Sequence, residues 1–281
     1  MRTTHRTLVL ALLVTGGLAA GAARASDVYF HRELTESILK DRGWENREAI
    51  ESVVQANIAT DMARFPKLGR NVLGVIFPTT ESRMDAVNLL AETAPFTPRS
   101  TVGFHFNSLY SFDDIDRRWL DFGVWVDEQS AAVAGDRRTE LILLGLVAHH
   151  VQDFYAHANW VGTLDLFTPG ELKAHEFPTW EELIHNQDDW ISRHPEVPAA
   201  AVVNRFRASN AWISPDEELG GLQTGRIRNE VVLGADPWMH RHHEGRTMDV
   251  NHRLATRAIH HWFDRVEAGF AAAHTARIAE E

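Results

Sequence analysis

Cysteine is absent from the 281-residue chain, which excludes disulfide-stapled scaffolds and thiolate-ligated metal folds. Basic residues are few: 28 Lys and Arg face 39 Asp and Glu, for a net charge of −11. A surface that tracks nucleic-acid phosphates needs clustered Lys and Arg to release counterions, so the balance argues against a broad nucleic-acid groove. Repeats, low-complexity tracts and linkers are also missing, and nothing splits the chain into domains. With 44% hydrophobic residues, it is long enough to bury a full core without covalent staples. What it has in excess is histidine, 16 residues against 28 Lys and Arg, more than core packing asks for.

The first 25 residues read as a secretory signal peptide. Arg2 and Arg6 form a positive n-region, an apolar stretch follows from Leu8, and Ala23-Arg24-Ala25 has the small-x-small pattern of a cleavage site. The run from Leu8 to Ala23 is 16 residues, short for a membrane span of roughly 20. Cleavage after Ala25 would leave Ser26 as the new N-terminus of a mature chain over residues 26–281, secreted or periplasmic. Loss of Arg2, Arg6 and Arg24 leaves 25 basic residues against 39 acids, a charge of −14. An exported chain without disulfides must draw its stability from packing or bound metal.

Apolar residues recur at helical spacing along most of the rest. The pattern predicts helices over Phe30 to Lys40, Ala49 to Ala63, Glu81 to Thr93, Phe112 to Val133 and Arg138 to Ala158. Shorter ones are expected from Trp180 to Ser192 and Ala200 to Ser209, and a long one from Val250 to Ile278. Strand signals are weak, confined to Asn71 to Phe77 and Arg226 to Leu233. Leu141 to Ala148 is apolar all round, the mark of a buried central helix. One all-α domain is the simplest reading.

The chemistry concentrates on that central helix, Leu141-Ile-Leu-Leu-Gly-Leu-Val-Ala-His149-His150-Val-Gln-Asp153-Phe-Tyr-Ala-His157-Ala-Asn-Trp160. His149, Asp153 and His157 lie at i, i+4 and i+8, each rotated about 40° from the last, and so share one face. A carboxylate between two histidines on an otherwise apolar helix is best explained by a cation that it coordinates, because an unpaired buried charge is expensive. A hydrogen-bonded His-Asp-His network without metal is the alternative. His150 competes with His149 for the role, and the four-residue spacing to Asp153 favours His149.

From Gly145 to Trp160 the segment resembles the metal-binding helix of the zinc-dependent phospholipase C superfamily, which includes single-strand nucleases. It is most similar to the heterokaryon-incompatibility C (Het-C-like) branch, whose motif reads His-x-x-x-Asp-Phe-Tyr-Ala-His-Ser-Asn-Trp. The phospholipases proper place two more residues between the Asp and the following His. The resemblance implies an all-α fold and a cluster of up to three zinc ions, with Asp153 bridging two of them.

The resemblance also implies the other ligands. The amine and carbonyl of Ser26 would bind metal, followed by His31 five residues later; the usual N-terminal residue in the superfamily is Trp. Asp61, in Ala56-Asn-Ile-Ala-Thr-Asp61, looks like the acidic ligand and the group that orients or deprotonates the attacking water. His105, in Phe104-His105-Phe106, resembles the His-Phe that follows it. For the last pair, His243 and Asp249 resemble the Het-C-like pattern of a late His, a short turn and an Asp before the final helix. His185 and Asp189 meet the His-x-x-x-Asp spacing of the phospholipases instead. His252, His260, His261 and His274 read as packing or surface residues.

The implied activity is metal-dependent phosphodiester hydrolysis of phospholipase C type, on a phospholipid or similar small phosphodiester, with transient contact at a membrane surface. Trp125, Phe154, Tyr155 and Trp160 offer an aromatic wall that would suit a choline head group, although Phe154 and Trp160 read better as core. A nuclease of the same fold and a non-catalytic, metal-stabilised interaction protein are the other readings.

Overall fold

The computed structural model describes residues 31–62, 81–96, 104–105, 112–157, 160, 176–195, 203–204 and 246–280. Among them the chain is helical, with no strand, in agreement with the all-α expectation. The signal peptide of residues 1–25, the two extended pieces and most of the helix expected over 200–209 lie outside the described residues.

Helix α1 runs through residues 31–41 and stops where Gly43 takes φ +81°, a left-handed conformation that costs glycine little. The Gly43 N–H then reaches the Lys40 carbonyl and the Trp44 N–H the Leu39 carbonyl, the paired bonds of a Schellman stop. Helix α2, Arg47–Met62, starts at Asn46, whose side-chain oxygen accepts the N–H groups of Glu48 and Ala49 at 3.0 and 3.1 Å, satisfying donors the first turn leaves open. Helix α3 is Glu81–Thr93 and α4 is Phe112–Val133. Helix α5, Arg137–His157, is capped by Asp136 through the backbone N–H of Arg138 and both the N–H and hydroxyl of Thr139. The long α7, Arg246–Glu280, closes the molecule.

Helix α5 is the axis of the core. Every residue from 141 to 155 is buried, as its all-round apolar sequence requires. It packs along α2 and α7 and also touches α3 and α4. Gly145 is what lets α2 approach: a β-carbon built there would stand 2.3 Å from the Val53 carbonyl oxygen and 2.9 Å from the Asn57 nitrogen. On the opposite side, α4 and α7 join through aromatic rings. Trp119 stacks on Trp262 at 5.7 Å, and Phe122 leans on the same ring at 4.7 Å. No helix among the described residues is long and apolar enough to cross a membrane.

Two departures from the sequence pattern exceed a shift of one or two residues. The helix expected over Trp180 to Ser192 is divided: Glu181–His185 forms a π-helical turn, Asn186 leaves helical geometry, and α6 resumes over Gln187–Arg193. Glu181 and Trp190 are both buried, yet nine residues of regular α-helix would put them on opposite faces. The wider turn re-phases the chain so that both face inward. The second departure is that α7 begins at Arg246, four residues before the expected start, so Asp249 lies within its first turn rather than ahead of the helix.

Candidate metal centre

Two helices and one short segment converge on Asp153. From α1 comes His31, from α5 come His149 and Asp153, and His105 comes from the segment of Phe104 and His105; none is more than 3% exposed. His31, His149 and Asp153 each offer one ligand atom, and these atoms lie within 4.8 Å of one another. The two carboxylate oxygens address different rings. Oδ1 is 3.5 Å from His31 Nε2, while Oδ2 is 2.5 Å from His105 Nδ1 and 3.3 Å from His149 Nε2. His105 Nδ1 is also 3.2 Å from His149 Nε2, and its Nε2 lies 3.3 Å from the Thr60 carbonyl oxygen in the last turns of α2.

The chain fixes these rings from behind. His149 Nδ1 is 3.2 Å from Asn57 Oδ1, and His31 Nδ1 is 2.5 Å from Gln152 Oε1. Asn57 Nδ2 donates to Gln152 Oε1 and to Thr35 Oγ1, both at 2.8 Å, and Gln152 Nε2 donates to Thr35 Oγ1 at 3.0 Å. All three of these polar side chains are buried. The His31 and His149 rings also stack at 4.6 Å.

Burial by itself would raise the Asp153 carboxyl, but the neighbouring His149 and His105 outweigh it and hold Asp153 well below the usual carboxylate range. The carboxylate and the imidazoles that depress it meet in a dry interior, where electrostatic interactions are strong.

The choice between His149 and His150 is resolved by helix rotation. His150 turns about 100° away into Phe96, Phe104 and Phe122. Burial, with the Arg118 charge adding to it, pushes its imidazole well below the ordinary histidine range, so the ring is neutral. Its Nδ1 donates to the Phe104 carbonyl at 2.6 Å, and Arg118 donates to the His105 carbonyl at 3.3 Å. His150 is thus a clamp on the segment that delivers His105, rather than a rival ligand. Arg118 is itself pushed down to about 10, chiefly by its burial.

The aromatic half of the motif is packing. Trp125, Phe154, Tyr155 and Trp160 are all buried, which carries the core reading for Phe154 and Trp160 and extends it to the other two; the expected aromatic wall does not open to solvent. Tyr155 oxygen accepts the Trp180 N–H at 2.9 Å and the Trp160 indole donates to the Pro178 carbonyl at 2.9 Å, so the two rings pin the chain around 178–180. Burial first, and then the nearby Glu181, push the Tyr155 phenol well above its ordinary range.

Of the other expected ligands, Ser26 and His243 lie outside the described residues, as do the side chains of Asp61, His157 and Asp249. The α5 backbone is helical through His157, which keeps the four-residue register with Asp153, and the turn carrying Asp61 follows Thr60, whose carbonyl faces His105. His185 and Asp189 are not brought together: His185 Nε2 is 3.2 Å from Asp116 of α4, whereas Asp189 pairs with Arg193. The break at Asn186 separates two residues that a regular helix would have aligned.

Sequence reading missed Thr35, Asn57, Gln152 and the buried Glu181, which accepts the Trp262 indole N–H at 2.7 Å. The first three had a signal, since Thr35 is one turn beyond His31, Asn57 one turn before Asp61, and Gln152 beside Asp153, each within an apolar stretch. Against family models, curated proteins and solved structures, the chain matches none.

Proposed function

We propose that the protein is an exported metal-dependent phosphodiesterase of phospholipase C type, acting on a phospholipid or related small phosphodiester at a zinc site of up to three ions. One observation carries the reading: ligand-capable atoms of His31, His149 and Asp153, drawn from two helices 118 residues apart in sequence, lie within 4.8 Å of one another in the buried core. Oxygen and nitrogen donors without thiolate suit zinc or another borderline divalent ion. Asp153, whose two oxygens face different imidazoles, would hold metal together with those rings.

In this reading His31, His149, His105 and Asp153 hold the ions from the described part of the chain. Ser26, Asp61, His157, His243 and Asp249 complete the set that the resemblance to the zinc-dependent phospholipase C superfamily implies. Bound there, divalent ions supply Lewis acidity that polarises a phosphoryl oxygen and offsets charge developing on the leaving oxygen. The chain's own part is to hold Asp153 ionised, to aim the imidazoles through Asn57 and Gln152, and to keep the inner face of the site dry with the aromatic core around His150. Asp61, one residue past the Thr60 carbonyl that faces His105, is the group that the resemblance assigns to orient the attacking water.

A second reading draws on His105, whose Nδ1 stands 2.5 Å from Asp153, the geometry of a charge-assisted hydrogen bond. Such a pair neutralises Asp153 without metal, and the cluster is then a hydrogen-bonded His-Asp-His network. Elemental analysis of the purified, dialysed protein separates the two. Stoichiometric zinc that disappears in His149→Ala and Asp153→Asn supports the metal site, and its absence from the wild type overturns it. With zinc in place, release of phosphocholine from liposomes marks the phospholipase reading, release of nucleotides from single-stranded DNA marks a nuclease of the same fold, and neither marks the interaction protein. N-terminal sequencing of the exported product, expected to start at Ser26, tests the secretion step.

A further inference from the structure

Hydroxyls inside these helices have a ready local partner. Ser52, Thr93, Ser130, Thr256 and Thr275 each donate to the carbonyl four residues back, at 2.6 to 2.9 Å, the bond that satisfies a helical Ser or Thr without outside help. Thr60 departs from them. It is fully buried in α2, yet no such bond reaches the Ala56 carbonyl, and among the described residues its Oγ1 has no hydrogen-bond partner. A buried hydroxyl left unpaired costs on the scale of a lost hydrogen bond, although a χ1 rotamer that meets the preceding turn is open to a helical Thr.

The register of α2 on α5 shows what surrounds that hydroxyl. The two helices run side by side in the same direction. Leu141 borders one cavity with Ala49 and Ser52, a β-carbon at Gly145 would stand 2.6 Å from the Ala56 β-carbon, and His149 faces Asn57. Around the helix axis Thr60 falls between Val53 and Ala56, in the middle of the stripe turned to α5. Four residues beyond the Ala56–Gly145 contact on both helices, Thr60 stands against His149. Its carbonyl oxygen lies 3.3 Å from His105 Nε2, so the residue forms part of the wall of the cluster.

His31, His149 and Asp153 bring three ligand atoms together, and a zinc site with three protein ligands keeps its fourth position for water. We propose that Thr60 is a further residue of the metal centre, whose Oγ1 accepts a hydrogen bond from the water that arrives with the cation. The inference rests on the metal reading above and adds to it a water-holding group. Thr60 forgoes the local bond because its partner comes with the metal.

Thr60→Val keeps the shape of the side chain and deletes the hydroxyl, whereas Thr60→Ser retains it. For the full chain, competition with a chromophoric chelator reads Zn²⁺ affinity, and thermal midpoints with zinc and with chelator read folding. Without metal, Thr60→Val is expected to melt no lower than the wild type, since it loses a buried polar atom that held no bond. Its Zn²⁺ affinity should fall about 10-fold, the lower end of what losing a partner behind a metal site costs, and Thr60→Ser should bind like the wild type. A residue that only packs would move both midpoints together and leave the affinity alone. Wild-type affinity in Thr60→Val overturns the role of Thr60 and leaves the metal reading standing. A Thr60→Val chain that melts well below the wild type without metal, or does not fold, also overturns it, because the hydroxyl would then hold a bond within the chain. A wild type that binds no Zn²⁺ overturns the metal reading, and the role of Thr60 falls with it.

Discussion

Gly145 shows how one side chain's absence governs the site. On an open helix, exchange of Gly for Ala adds stability, about 1 kcal/mol. Here the new β-carbon would meet the Val53 carbonyl oxygen at 2.3 Å and the Asn57 nitrogen at 2.9 Å, both backbone atoms that cannot rotate aside. Overpacking therefore wins, and Gly145→Ala is expected to destabilise the protein by about 1–3 kcal/mol in urea denaturation. Because the displaced turn carries Asn57, the variant should also bind Zn²⁺ more weakly. Equal or greater stability would mean that α2 and α5 are not held this close. The same scale shows what a sequence conceals. The His149–Asp153 spacing was legible because period alone sets the face of a helix. The His150 clamp and the Thr35, Asn57 and Gln152 network were not, since each depends on atoms 90 or more residues apart meeting in space, or on a segment docking from elsewhere.

Helix ends follow local chemistry, and most were readable for that reason. α3 and α4 match their expected limits because Pro95 follows one and Gly135, at φ +88°, follows the other, while α5 begins one residue early because Asp136 supplies the cap. Its carboxylate takes the Thr139 hydroxyl at 2.6 Å and two backbone N–H groups, and the hydroxyl is the main cause holding Asp136 below its ordinary range. A carboxyl depressed on folding contributes stability that is present above its unfolded value and is lost as pH falls through the folded one. Asp136→Ala should therefore cost about 1 kcal/mol at pH 7, and the gap from wild type should close by about pH 2 as the wild-type cap protonates. Urea midpoints of both proteins at the two pH values check this, and a gap that persists in acid would place the effect elsewhere. The π-turn over Glu181–His185 was illegible for the opposite reason. Nothing local in Glu-Glu-Leu-Ile-His favours it; the demand comes from Trp262, which holds Glu181, and from Trp190, which must also be buried.

Across the whole molecule, the core and the polar cluster compete for the same helix. Ionised Asp153 and three imidazoles occupy the centre of an otherwise apolar interior, and a chain without cysteine has no covalent link to hold that centre together. A cation bound by the folded state alone repays the arrangement, since it stabilises by RT ln(1 + [L]/Kd), about 2.7 kcal/mol at a hundredfold excess over Kd. For a chain of this size each 1 kcal/mol raises the thermal midpoint by roughly 2–4 °C, so saturating Zn²⁺ should raise it by roughly 5–10 °C over the chelator-treated protein. Asp153→Asn should abolish that increment, because the amide carries no charge to hold the cation. Asp189→Asn, on the exposed pair with Arg193, should keep it whole. Differential scanning calorimetry of the three proteins with zinc and with chelator reads each increment directly. If Asp189→Asn loses the zinc increment while Asp153→Asn keeps it, the metal belongs to the π-turn region and the cluster on α5 is a hydrogen-bonded core. If all three keep the same increment, zinc binds outside both.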